Sequence, residues 1–381
     1  MLPDIYLAID NCFASKRWTK PLRWMEVCRD IGVYYVEASA DTECDPLYTT
    51  SGYLREWTDA IRDAKRETGI TVFGLYSGHG TYATLGLGHD DRRIRKHILY
   101  NWLFPMIDTA AALNAGLGFF CHAFSEEVLK EAATYYSAEN ELCRDLCEVS
   151  SYAANRNLPF ICTEQMYSPH QFPWTIPSAK RFLRNCGEEG APMYITLDTG
   201  HQTGQRNFLK PSRNEIDKWI ASRNNGTSAE MPYLGTLLIE PHTADTDKII
   251  AAIEEQTYLF AESQDGEPYS WLRHLGCYSP VIHLQQTDGT ASAHLPFTSK
   301  YNESGIINGE AVLRAIHDSY TQKEEAGLPP KCKKIYLTLE IFAGTGERNA
   351  DILEKLRTSV AYWRQFIPHD GINLSSCINT I

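Results

Sequence analysis

The stretch Tyr194-Ile195-Thr196-Leu197-Asp198-Thr199-Gly200-His201 reads as a strand that runs out of apolar residues where an acid and a histidine appear. Ile195 and Leu197 share one face at the two-residue period of a strand, which puts Thr196 and Asp198 on the other. Gly200 then ends it. A carboxylate at the carboxyl end of a buried strand is costly unless it is paired, hydrogen-bonded or metal-bound. The plain reading is an Asp that caps the following turn through the local backbone. The functional one is a barrel strand delivering a metal ligand to a rim.

Outward from this stretch, short apolar strands alternate with longer amphipathic segments, the pattern of a parallel sheet with crossover helices. Strands are expected at residues 5–10, 33–37, 70–76, 118–122 and 159–164 before it, and at 281–285 and 335–340 after it. Helices are expected near 18–30 and 53–67, the second stopped by Gly69. Another spans 92–115 with a break at Pro105. One more follows an N-cap at Ser125 and runs towards Asn155, and a last helix covers 349–366. Residues 202–270 form an insertion after the sixth strand, with a capping box at Ser212 and Glu215 and a helical run after Asp245. Residues 271–275 resume the barrel. Eight strand–helix units predict an α/β chain folded as one (β/α)8 TIM barrel domain over 1–381. A doubly wound sheet is the rival, but Asp10-Asn11-Cys12-Phe13 is not the glycine-rich first turn it needs.

With 381 residues, 43% hydrophobic and 22% charged, the composition is that of an ordinary globular protein. No segment approaches the run of about 20 apolar residues that a membrane helix requires. The amino terminus lacks a basic segment followed by an apolar one, so no secretory signal is read there. The 11 cysteines lack a Cys-x-x-Cys pair, which suggests reduced thiols and a cytoplasmic protein. A formal charge of −12 argues against nucleic acid or an anionic membrane as partner. A homo-oligomer is left open.

The carboxyl ends of barrel strands open on one rim, where residues distant in sequence meet. The last acid or imidazole on strands five to eight gives Glu164, Asp198, His283 and Glu340. Strand parity agrees: Tyr336, Thr338 and Glu340 point inward, as do Cys162 with Glu164 and Thr196 with Asp198. Singly, His283 reads as a core histidine and each Glu as half of an ion pair. Together, three buried carboxylates repel strongly unless a cation or protons neutralise them, so one divalent metal ion is the economical reading. The donor set suits Mn2+ first, with Mg2+, Co2+ or Zn2+ as alternatives. His201 is a candidate for polarising a substrate oxygen. Gln285 is a second-layer or hydroxyl-donating candidate, and His122, His79 and Glu37 stand at strand ends as substrate contacts or scaffold. Glu240 and His242 receive no role.

At these residues the chain resembles the xylose isomerase-like family of barrel proteins, which includes sugar and sugar-phosphate isomerases, ketose 3-epimerases and metal-dependent apurinic endonucleases. The matching pieces are Cys162-Thr163-Glu164-Gln165-Met166-Tyr167, Leu197-Asp198-Thr199-Gly200-His201, Val281-Ile282-His283-Leu284-Gln285 and Leu337-Thr338-Leu339-Glu340. They lie in family order. The resemblance implies that Glu164, Asp198, His283 and Glu340 hold one divalent cation and that His201 touches substrate. Two features depart from the pattern: the long insertion, and Gln285 where many relatives have a second histidine. The stretch Tyr362-Trp363-Arg364-Gln365-Phe366-Ile367-Pro368 is similar to the tetrulose-phosphate branch and points to a short phosphorylated ketose, with Arg206, Lys300 and Arg348 as phosphate candidates.

The function expected is metal-dependent isomerisation or epimerisation of a sugar or sugar phosphate, by proton transfer next to the ketose carbonyl through an enediolate. Glu164 and Glu340 are the catalytic base and acid. The alternatives are an apurinic endonuclease-like metal-dependent phosphodiesterase and a non-catalytic sugar-binding barrel. A Schiff-base aldolase is disfavoured because strand six offers Asp198 where such enzymes commonly place Lys.

Overall fold

Alternating apolar residues build eight parallel strands: β1 (Asp4–Asp10), β2 (Tyr35–Ser39), β3 (Thr71–Ser77), β4 (Gly116–Phe119), β5 (Ile161–Glu164), β6 (Tyr194–Asp198), β7 (Val281–Leu284) and β8 (Lys334–Leu339). In this computed structural model, which describes residues 2–78, 84–227, 230–236 and 245–380, each strand pairs with the next. The ring closes because β1 pairs with both β2 and β8. The chain is therefore a (β/α)8 barrel. The β1–β2 pairing covers only Ala8 to Asp10. A short antiparallel strand near the carboxyl terminus, β9 (Ile372–Asn373), takes up the free edge of Asp4 and Ile5.

Strand bounds shift by one to three residues from expectation in several places, and the ends of β4 and β6 have a visible local cause. β4 stops at Phe119 rather than at His122, whose backbone takes a left-handed φ of 60° that no strand can continue. β6 stops at Asp198 because that side chain accepts the N–H groups of Gly200 and His201 and turns the chain. The expected break at Pro105 falls earlier. A wider π-type turn at Leu99–Leu103 precedes the helix Phe104–Leu113, and Pro105 sits in that helix's first turn, where a missing N–H costs least. Ser125 precedes a short helix, Glu126–Leu129, but its hydroxyl is donated to Asp90 instead of capping; the long helix is Ala132–Asn155. Gly69 ends Ser51–Thr68 with φ 78°, as read from sequence.

Between β6 and β7 lie the helices Arg213–Asn224, capped by the Ser212–Glu215 box, and Thr246–Glu255, capped by Asp245. Pro268–Leu275 then leads into β7. Tyr258 ties this region to the barrel by donating its hydroxyl to the Leu129 carbonyl.

Strand parity divides the core in two. Ile5, Leu7, Ile9, Ile195, Leu197, Ile335, Leu337 and Leu339 face the helices. Ala8, Phe73, Phe160, Cys162 and Val281 fill the barrel, with Tyr35, Tyr194 and Tyr336 packed against them. Phe73 stacks on Tyr336 at 3.8 Å and closes the floor, so the inward rows continue upward to polar groups at the mouth. Two features make room there. An extra residue in β3, opposite Val36 and Glu37, forms a bulge that turns Tyr76 inward. In β4 the inward positions are Gly116 and Gly118, where a Cβ would lie 2.3 Å from the Phe160 ring and 3.1 Å from Tyr76.

A candidate metal centre at the barrel mouth

Six of the inward rows carry a polar group at the mouth: Asp10 on β1, Glu37 on β2, Glu164 on β5, Asp198 on β6, His283 on β7 and Glu340 just past β8. All six are buried. Glu164, Asp198, His283 and Glu340 each place one ligating atom within 4.8 Å of the other three. His283 Nδ1 is 3.0 Å from Glu164 Oε1 and 3.5 Å from Glu340 Oε2.

The surrounding hydrogen bonds fix which atoms face the cluster. Asp198 Oδ1 accepts from the N–H groups of Gly200 and His201, at 2.7 and 3.0 Å, and from Gln285 Nε2 at 2.8 Å. Oδ2 has no hydrogen-bond partner, whereas Glu340 Oε2 faces the imidazoles of His294 and His283 at 3.2 and 3.5 Å. Oδ1 therefore caps the turn, as the plain reading has it, and Oδ2 is left without a protein partner. His283 Nε2 meets Glu37 Oε2 at 2.8 Å, so that nitrogen carries the proton and Nδ1 is directed at the acids. Tyr76 donates its hydroxyl to Glu164 Oε2. Three buried carboxylates and one imidazole, with Asp198 Oδ2 left unpartnered among them, fit a hard divalent cation.

The electrostatics point the same way. Burial lowers the affinity of His283 for its proton, but Glu340, Glu37 and Glu164 outweigh it and hold the pKa well above the ordinary value. Burial raises Asp10, Glu37 and Asp198, with neighbouring carboxylates adding to the effect. Glu340 goes the other way: burial opposes its charge, yet His294 and His283 keep it below the ordinary range.

Above the cluster lies a cavity of about 540 Å³ bordered by Asp10, Asp41, Glu164, Tyr167, His201, His294 and Glu340, among others. His201 Nδ1 lies 2.8 Å from the Gln165 carbonyl and so must donate to it. In the neutral ring Nε2 is then an acceptor for a substrate hydroxyl. Gln285 does not line the cavity. It holds Asp198, accepts the His294 N–H at 2.7 Å, and reaches Ser292. His122 packs between Trp102 and Phe120 and accepts the Leu87 N–H. Arg206 is spent on the carbonyls of Gly266 and Gly289 and on Glu267. His79, Glu240 and His242 lie outside the described residues.

Three groups at the site escape a reading of the sequence. Tyr76 is hidden by the β3 bulge, since period-two counting from Phe73 turns it outward. His294 comes from the loop after β7, at a left-handed φ of 47°. Its Nδ1 stands 3.2 Å from Glu340 Oε2, its ring stacks on Phe342 at 3.9 Å, and the nearby carboxylates overcome burial to raise its pKa to about 9. Asp10 does end an inward row, Tyr6-Ala8-Asp10, and that alternation was the available signal.

With this geometry in place, the comparisons with known proteins are informative. The family model of the xylose isomerase-like TIM barrel matches residues 25–255, and the chain belongs to that family. A curated relative, D-erythrulose 1-phosphate 3-epimerase of Brucella abortus (strain 2308), is 28% identical over 142 residues, which is 37% of this chain and 42% of that protein. The match thus spans less than half of the relative's length. Among solved structures, a Rhodospirillum rubrum protein classed with xylose isomerases aligns with TM-score 0.65 and 19% identity over 94% of this chain and 98% of the other. An L-ribulose 3-epimerase aligns with TM-score 0.54 and 14% identity over 99% and 95%. At such identities the likeness is one of fold. Among the described residues no helix is long and apolar enough to cross a membrane.

Proposed function

We propose that the protein is a divalent-metal-dependent ketose epimerase or isomerase that moves a proton on a carbon next to the carbonyl. The observation that carries this reading is the convergence of Glu164, Asp198, His283 and Glu340 under the mouth cavity, with Asp198 Oδ2 lacking any hydrogen-bond partner. The family and the sugar epimerases among its relatives support it.

These four residues would hold the ion, manganese being favoured by the donor set. Bound there, a divalent cation supplies positive charge beside the substrate oxygens on which negative charge develops. Glu164 and Glu340, at the ends of strands three apart in the ring, act as base and acid: one takes the carbon-bound proton and the other returns one. Return to the opposite face of the same carbon gives an epimer, and return to the neighbouring carbon gives the aldose–ketose isomer. Tyr76, by donating to Glu164 Oε2, fixes that carboxylate's plane with Oε1 turned towards His283 Nδ1. His201 Nε2 and the His294 ring border the space where substrate hydroxyls would lie.

The test is exchange of the carbon-bound hydrogen of a ketose in heavy water, with manganese added. The wild type is expected to exchange, and Glu164→Gln and Glu340→Gln to lose exchange by 10²-fold or more, about the effect of a positioned acid or base. Full exchange in both variants would remove the assignment.

A further inference from the structure

The walls of the mouth cavity say which ketoses fit. Resting on the epimerase reading above, we propose that the substrate is a neutral, unphosphorylated ketose, although the curated relative's name specifies a phosphate ester. No Lys or Arg is among the described residues that line the cavity, while Asp10 and Asp41 are. Residues 79–83, 228–229 and 237–244 contain neither Lys nor Arg.

Four cations, three of them phosphate candidates by sequence, are engaged elsewhere. Arg206 holds Gly266, Gly289 and Glu267, and Arg348 forms a two-point pair with Asp351. The Lys300 ammonium lies 5.0 Å above the Tyr301 ring. Arg17, near the mouth, is bonded to the carbonyls of Ser15, Gly344 and Glu347 and to Asn349.

Backbone amides are the other usual phosphate ligands, and in TIM barrels they come chiefly from the loops after the seventh and eighth strands. Here three donors of those loops are spent within the loops themselves. The Gly289 N–H is given to Thr287 Oγ1 at 3.0 Å, the Thr290 N–H to Asp288 Oδ1 at 2.9 Å, and the Gly344 N–H to Glu347 Oε2 at 3.1 Å. Two of the three acceptors are carboxylates, which a dianion would have to displace against its own charge. Hydroxyls face no such difficulty, because they donate to Asp10 and His201 as readily as to water.

The experiment is calorimetric binding to the manganese-loaded protein of erythrulose, ribulose and fructose, each beside its 1-phosphate, with turnover of the same pairs followed in parallel. The free ketose of at least one pair is expected to bind about tenfold more tightly than its ester. Asp41→Lys, an exposed change, is expected to narrow that ratio about fivefold, the scale of one partly screened charge contact. Equal or tighter binding of the ester in every pair, or no binding of either form, overturns the proposal. Preferred binding of a free ketose without any turnover upholds the charge argument and overturns the epimerase reading alone.

Discussion

His283 Nε2 lies 2.8 Å from Glu37 Oε2, with both side chains fully buried, and this contact turns Nδ1 towards Glu164 and Glu340. A ligating histidine held by a carboxylate is fixed in tautomer and ring orientation, and loss of such a partner costs about 10- to 100-fold in metal affinity. Glu37→Gln keeps the acceptor oxygen but loses the charge, so manganese affinity should fall by about tenfold, at the lower end of that range. Glu37→Ala strands the buried N–H and should cost more. Metal titration followed by calorimetry gives the comparison, and unchanged affinity in both variants would mean that Glu37 has no part in holding His283.

Metal removal should expose the strain of gathering these acids. Burial, chiefly, raises the pKa values of Asp10, Glu37 and Asp198, and the surrounding carboxylates raise His283 against its burial. The metal-free folded state therefore holds protons that the unfolded chain releases near the ordinary carboxyl and imidazole values, so its stability falls as pH rises. The slope is about 1.4 kcal/mol per pH unit for each such proton. Glu340, held low, contributes stability lost only on acidification below the ordinary Glu range, and does not change the sign above pH 5 or so. With chelator the melting midpoint should drop between pH 5 and pH 8, and with saturating manganese the slope should flatten. A metal-free midpoint that rises over this window would contradict the charge assignment.

Tyr76 donates to Glu164, and the bulge that aims it there invites a separate measurement. Tyr76→Phe removes one hydrogen bond to a charged group, worth about 1.5–3 kcal/mol, and so should lower kcat by roughly 10- to 150-fold. Metal affinity should change much less. An unaltered kcat would show that Glu164 needs no such support.

His294 borders the mouth cavity while standing outside the four clustered residues. His294→Gln should raise KM several-fold and leave manganese affinity within about twofold, since polar groups that orient a ligand contribute about 1 kcal/mol each. A large loss of metal binding would instead place His294 among the ion's supports.

The sequence disclosed these residues unevenly, and the reason is physical. Glu164, Asp198, His283 and Glu340 each terminate a strand whose inward and outward residues alternate without interruption, so counting by two from Cys162, Thr196, Val281 and Tyr336 leads directly to them. Tyr76 follows an extra residue in β3, and one inserted residue inverts every later assignment in that strand. His294 comes from a loop at a left-handed backbone, where no periodicity applies. Arg206, Lys300 and Arg348 illustrate the opposite difficulty. Charge is visible in a sequence, but the carbonyl, ring or carboxylate that engages it is not.

The inward glycines of β4 offer a test of how the barrel interior sets the site. A Cβ at Gly116 would fall 2.3 Å from the Phe160 ring, and Phe160 packs with Phe73 and Cys162 inside the barrel. Gly116→Ala should therefore destabilise by about 1–3 kcal/mol through overpacking, read as a lower midpoint in denaturant. Phe160→Leu removes the colliding ring edge, so the double variant should lose less than the two single losses added together, by about 0.5 kcal/mol or more. Strict additivity would mean that the two positions do not touch. Manganese affinity should persist in Gly116→Ala, because the ligands stand at the other end of the inward rows and are held by Glu37, Tyr76 and Gln285 rather than by the floor.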